Sequence, residues 1–382
     1  MKELKEIIYL FLRLGCITFG GPAAHIAFFE HEVVAKRKWI SQQHFLDLIG
    51  ATNLIPGPNS TEIAMHTGYQ HAGLAGLIAA GISFTLPAVL ITGIFASIYA
   101  AYGTLPAVEP FLYGIKPAVL IIIIHAVYKL GSKAVKGWKL ALIAVMVMAI
   151  NLLGINEVIA TLSGGILGGL FIYLSERSIA SKSLFLFPLL TLCNLPPLFQ
   201  TIERPPVSLV TLFLSCLKIG AVWFGGGYVL VAYFNGEFVQ GLNWLTRREL
   251  LDAIAVGQFT PGPFLSSATF IGYQIAGIPG AIWATVGIMI PAFIFVALLN
   301  PIIPRLRKSA YFSKFLDAVN VSALAVMVVV SIKLGQEILI EWQSWIIALL
   351  SALSFMTIRK IKTVYIILGG AVTGYIFYLS GV

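Results

Sequence analysis

Apolar residues run in long blocks along this chain, for instance from Leu74 to Tyr99, Ala118 to Tyr128, Leu140 to Leu153 and Ile275 to Leu299. Gly, Ser and Thr interrupt them, with none of the every-second-residue alternation of an outer-membrane barrel, so the pattern predicts helices. In the first half it places a helix over 4–19, a Gly-Gly-Pro break, and a continuation through 34. A polar stretch with Lys36, Arg37 and Lys38 follows. The segment 43–67 is cut by Pro56-Gly57-Pro58 into two pieces, each too short to cross a bilayer, which predicts a re-entrant helical hairpin. Spanning segments are expected near 71–100, 111–130, 138–154 and 157–175.

The order then repeats. Phe19-Gly20-Gly21 returns as Phe224-Gly225-Gly226, Glu32 as Glu237, Trp39 as Trp244, Asp47 as Asp252, and Pro56-Gly57-Pro58 as Pro261-Gly262-Pro263, each 205 positions later. After one deletion the offset is 204, pairing Gly68-Tyr69-Gln70 with Gly272-Tyr273-Gln274 and Lys129-Leu130-Gly131 with Lys333-Leu334-Gly335. Register held over this distance marks an internal duplication. The first repeat covers 1–177 and the second 207–382. The linker, 178–206, is rich in Ser and Pro, and its apolar run 184–192 is too short to span.

Composition agrees with a membrane bundle. Of 382 residues 58% are hydrophobic and 11% charged, with mean hydropathy +0.92, against roughly 25% charged in soluble proteins. The prediction is an all-α integral membrane protein of about ten transmembrane helices plus two re-entrant hairpins. Arg13 and Gly20-Gly21-Pro22 interrupt the first apolar run before any typical cleavage region, so that segment is expected to remain. The net charge of +9 comes from bases set singly or in short groups between apolar segments. That distribution fits positive-inside topology and a lipid bilayer, not nucleic acid. Cys16, Cys193 and Cys216 lack metal-type spacing and read as free thiols. No metal and no cofactor is predicted.

The bases also suggest inversion. Lys133, Lys136 and Lys139 follow the 111–130 segment, while the loop 103–110 has no Lys or Arg. In the second half the loop equivalent to 103–110 carries Arg305, Arg307 and Lys308, and the loop after Lys333 is acidic, with Glu337 and Glu341. Equivalent loops are therefore expected on opposite sides, with both termini outside. Arg247 and Arg248 speak against that assignment of the termini.

Broken helices in inverted repeats are an architecture of secondary transporters, which rock one element against another around a fixed site. Pro-Gly-Pro ends one helix and starts another, and the first N–H groups of the new helix, with its dipole, suit an anion. Phe19-Gly20-Gly21-Pro22 with Phe224-Gly225-Gly226-Gly227, the paired Pro-Gly-Pro motifs, and Trp39 with Trp244 resemble the chromate ion transporter family in its long, two-domain form. The resemblance covers both halves. It implies export of chromate, a tetrahedral dianion shaped like sulfate, across a prokaryotic inner membrane, driven by membrane potential or an ion gradient. The halves differ: Gly227 stands opposite Pro22, and Phe264-Leu265 opposite Asn59-Ser60.

Substrate contacts are expected at Gly20, Gly21, Gly225 and Gly226, at Asn59, Ser60, Thr61, Ser266 and Ser267, and at Lys116. Pro22, Pro56, Gly57, Pro58, Pro261, Gly262 and Pro263 make the breaks. Each has a plain structural alternative: the hydroxyls as N-caps, the glycines as close-packing positions, and Lys116 as a lysine reaching the interface. Arg13 and Lys218 share a position in the first helix of each half and either line the path or mark the helix end. Glu62, His25 and His66 are candidates for proton coupling, as are Glu32, Glu237, Asp47 and Asp252, with a first-turn role favouring its own helix dipole equally open to Glu62; Glu30 reads rather as a partner of the adjacent basic loop, and His71 and His125 as packing or interface residues. A channel or transporter for sulfate or another small anion remains open, and a homodimer is compatible with such a bundle. An intramembrane enzyme is disfavoured, because the chain has no His-Glu-x-x-His and no Gly-x-Ser-x-Gly. A cysteine-accessibility scan should label Gly103→Cys and Arg305→Cys from opposite faces; labelling from one face would remove the inversion.

Overall fold

The computed structural model describes residues 2–19, 21–52, 55–103, 105, 108–177, 206–299, 309–358 and 361–380. Gly20, most of the linker and the basic loop with Arg305, Arg307 and Lys308 lie outside them. Among the described residues the regular structure is helical. The first half comprises α1 (Lys2–Ile17), α2 (Pro22–Phe29, running on into a π-helical turn Glu30–Lys36), α3 (Gln42–Thr52), α4 (Asn59–Tyr102), α5 (Glu109–Ala134), α6 (Trp138–Leu152) and α7 (Glu157–Arg177). The second comprises α8 (Leu209–Ala221), α9 (Leu230–Phe234, with its π-helical turn Asn235–Gly241), α10 (Arg247–Phe259), α11 (Ser267–Leu299), α12 (Ala310–Ile338), α13 (Trp342–Thr357) and α14 (Thr363–Leu379). Each helix of the first half has its counterpart seven elements later. Among the described residues five helices, including α4, α5 and α12, are long and apolar enough to cross a membrane. The π-helical turns were not legible in the sequence.

The duplication extends to single backbone angles. Inside α4, Ala72 (φ −144°, ψ 30°) and Gly73 (φ 60°, ψ −150°) leave the helix, and inside α11 Ala276 (φ −146°, ψ 27°) and Gly277 (φ 62°, ψ −151°) do the same. The positive φ is why glycine occupies the second place. The chain reverses there, because residues on either side meet: a Cβ on Gly68 would stand 2.2 Å from the Gly76 carbonyl oxygen, and one on Gly272 2.3 Å from that of Gly280. Helix α4 is thus two antiparallel pieces. The short one follows Pro-Gly-Pro, and the long one begins near the predicted position 71.

Lipid supplies no hydrophobic drive between helices, so small residues that let backbones approach carry the contacts. Within each half, α1 packs on α4 and α8 on α11. The remaining helices exchange partners: α7 packs chiefly on α12, and α14 on α5. Glycines make both exchanges, with Gly165 and Gly169 of α7 against Val319 and Phe315, and Gly114 of α5 against Gly370 and Gly374. Helices α5 and α12 run antiparallel. Lys136, just past the end of α5, is 2.8 Å from Asp317 near the start of α12, and Tyr113 near the start of α5 donates to Glu341 just past the end of α12 at 2.8 Å. Arg247, whose position opposed the expected topology, pairs with Glu337 of α12.

His71 stacks on Trp39 and His125 on Phe355, so both act as packing residues. Cys16 and Cys216 are free thiols, and Cys193 lies outside the described residues. Gly68→Val and Gly272→Val should each destabilise the detergent-purified protein, at a cost of about 1–3 kcal/mol for overpacking. Gly93→Ala, at a position with nothing within 4 Å of the added carbon, should leave the melting temperature unchanged, and equal effects at all three sites would contradict the close approach.

Candidate functional site

Helix α1 ends at Ile17 and α2 starts at Pro22, with Gly21 (φ 78°) turning the chain between them. Gly226 (φ 92°) occupies the same place in the second half, after Gly225 (φ 93°). Each gap leaves backbone groups without a helical partner, and each is met by the Pro-Gly-Pro turn of the other half. Gly57 donates its N–H to the Trp223 carbonyl at 2.8 Å, and Gly262 donates to the Thr18 carbonyl at 2.9 Å. Thr18 and Trp223 are themselves equivalent positions. Gly262 lies against Ala88 of α4, and Gly57 against Ala292 of α11. The two breaks of each half therefore face those of the other half.

At this crossing a cleft of about 30 Å³ opens, room for one or two waters. Gly21 and Pro22 of the first half line it together with Gly227, Gly257, Gln258, Thr260 and Gly262 of the second. Tyr228 and Phe264 close it with a ring-to-ring distance of 5.8 Å. The Thr260 hydroxyl is 3.1 Å from that of Thr92, tying the second break to α4.

The predicted hydroxyls stand at the helix starts and are buried there. Ser60 is 3.1 Å from His25 Nδ1. The hydroxyls of Thr61, Ser266 and Ser267 are buried without a hydrogen-bond partner among the described residues. Ser267 packs on Gly257, where an added Cβ would be 2.2 Å from its Oγ. Neither oxygen of the fully buried Glu62 has a hydrogen-bond partner among the described residues, and its carboxylate folds back beside Gly57. Asn59 begins α4 and is partly buried.

The basic candidates are engaged in ion pairs. Arg13 lies 4.0 Å from Glu32, and Lys218 pairs with Glu237, so equivalent residues form equivalent pairs that pin each π-helical turn to the first helix of its half. Glu32 also binds Lys36 and Arg37. Lys116 of α5 reaches across to Asp252 of α10 at 3.6 Å, and Tyr99 donates to the same carboxylate oxygen at 2.7 Å. Sequence reasoning missed Glu157, which is 1% exposed and accepts from Asn235 at 3.4 Å and from Gln240 at 3.3 Å, its carboxylate set against Gly236. A carboxylate opening an apolar segment was the available signal. It also missed Gln258 and Thr260, whose side chains gain meaning only at the crossing. Among the described residues no group of three or more His, Cys, Asp or Glu is placed to hold a metal.

A family model described as chromate transporter matches residues 5–169 and 210–375. A protein named probable chromate transport protein in Synechococcus elongatus is 30% identical to this chain, with 98% of this chain and 96% of that protein aligned. The chromate transport protein of Cupriavidus metallidurans is 28% identical over 98% of this chain and 93% of its own length. A Methanocaldococcus jannaschii protein named as an uncharacterized transporter is 27% identical over 97% of this chain and 94% of its own length. No solved structure matches. With nearly the whole of both repeats covered, the chain belongs to the chromate transporter family.

Proposed function

We propose that the protein is a secondary transporter that exports chromate or a closely related tetrahedral oxyanion across the inner membrane. The anion binds where the Gly-Gly and Pro-Gly-Pro breaks of the two halves meet. The observation that carries this reading is the set of buried, unpartnered hydroxyls of Thr61, Ser266 and Ser267 at the starts of α4 and α11. A buried hydroxyl without a partner is costly in the apolar interior, so such groups mark a place for a polar ligand. Helix N-termini add N–H donors and a favourable dipole.

Alternating access needs two related elements of opposite orientation, and the antiparallel run of α5 and α12 supports an inverted repeat. The Pro-Gly-Pro hairpins re-enter the bilayer without crossing it, which leaves about ten spans. Membrane potential or an ion gradient supplies the driving force. Lys116 contributes positive charge along the path while Asp252 holds it. Asn59, Ser60, Gly21, Gly225 and Gly226 complete the backbone and polar surroundings of the two breaks, and Glu62 and His25, beside the first, exchange protons.

Chromate should raise the melting temperature of the detergent-purified protein, sulfate less, and chloride not at all at matched ionic strength, since a ligand stabilises by RT ln(1 + [L]/Kd). Absence of a shift with every oxyanion would remove the site. Lys116→Ala alone should destabilise by about 3–5 kcal/mol, because it strands a buried carboxylate. The double change Lys116→Ala with Asp252→Asn should recover most of that loss. Full chromate flux in the double variant would make the pair structural only.

A further inference from the structure

The two breaks are related by the repeat, yet they carry different chemistry. At the second, Ser266 and Ser267 present two buried, unpartnered hydroxyls, no charged side chain follows within the first turn of α11, and the cleft opens beside Gly257, Gln258 and Gly262. At the first, Glu62 stands in the opening turn of α4. Its carboxylate is fully buried, lies against Gly57 of the turn itself, and makes no ion pair among the described residues. The titratable side chains around it are His66, one helical turn further along α4, and His25 of α2, which is bonded to Ser60. Arg13, the base in the neighbouring α1, is drawn to Glu32.

A carboxylate at a helix start occupies the electrostatic position that the helix dipole offers to an anion. An ionised Glu62 therefore fills the first break with the chain's own negative charge and repels a second anion there, whereas the second break has hydroxyl donors and no resident charge. We infer that the two breaks divide the work: the second, with Ser266 and Ser267, takes the oxyanion, and Glu62 at the first takes a proton. The reciprocal bonds from Gly57 to Trp223 and from Gly262 to Thr18 join the two places. A negative charge arriving at one disfavours a negative charge at the other, so oxyanion binding and protonation of Glu62 favour each other. This rests on the transport reading above and adds to it a proton that leaves with the cargo, so that export carries one net negative charge and is driven by the membrane potential, and the half of the molecule that binds the cargo.

The test uses the full-length protein in detergent, melted in a chromate titration at several alkaline pH values where chromate stays a dianion. Ser266→Ala with Ser267→Ala should raise the half-saturating chromate concentration roughly tenfold or more, and Ser60→Ala with Thr61→Ala less than about threefold. The wild type should need roughly tenfold more chromate at the alkaline end of the series, and Glu62→Gln should show no such trend. In proteoliposomes a trapped pH dye should report protons moving with wild-type chromate flux and none moving with Glu62→Gln flux. If the double alanine variant does not fold, Ser266→Cys and Ser267→Cys taken singly keep the side-chain size and weaken the donor. Binding lost in Ser60→Ala with Thr61→Ala but kept in the Ser266 and Ser267 variants would overturn the assignment. So would the same pH trend in Glu62→Gln as in the wild type. A wild type that no oxyanion stabilises would instead bring down the transport reading, and this inference with it.

Discussion

Two backbone hydrogen bonds organise this molecule. Inside a bilayer no water satisfies an N–H or C=O left over at a helix break, so non-helical backbone at that depth must find its partners in protein. Here the partner of each Pro-Gly-Pro turn is the carbonyl just before the Gly-Gly break of the opposite half: Gly57 to Trp223, and Gly262 to Thr18. The duplicated halves are thereby tied together through the irregular backbone that carries the hydroxyls of the candidate site.

The same logic of mutual completion governs the longer helices. Helix α7 of the first half packs on α12 of the second, and α14 of the second on α5 of the first, through faces of glycine where a single methyl group would collide with backbone or Cβ atoms. Contacts of this kind depend on close approach and not on exclusion of water. They explain why glycine is spent at Gly114, Gly165, Gly169, Gly370 and Gly374 and why the lipid-facing surfaces of α4 and α11 remain plainly apolar, with Leu74, Ile78, Leu90, Ile278 and Ile282 exposed.

Ion pairs follow two patterns with different meanings. Arg13 with Glu32 and Lys218 with Glu237 occur once in each half, at equivalent positions, and hold the π-helical turn that follows each break. Lys116 with Asp252 joins the halves, as do the hydrogen bonds of Asn235 and Gln240 to Glu157. A transporter with one kind of cargo must differ somewhere from its own symmetric framework, and Glu62 in the first turn of α4, where the first turn of α11 has no acidic residue, is a departure of that kind.

The sequence by itself determined the helical membrane class, the duplication with its offset, the breaks, and the polar residues beside them, because each of these is written in local composition or in register. Gly68 with Gly272 was visible as a repeated glycine, and Pro56-Gly57-Pro58 as a helix break. The tertiary structure alone decided what each of these meets. The chain reversal at Ala72 and Gly73, the exchange of α7 and α14 between halves, the capture of Lys116 by Asp252, and the convergence of Gly21 with Gly257, Gln258 and Gly262 on one cleft all join residues far apart in the chain. Helical periodicity reports which face of a segment is apolar, but the choice of partner comes from close contact between backbones, and that is settled only when both surfaces are in place.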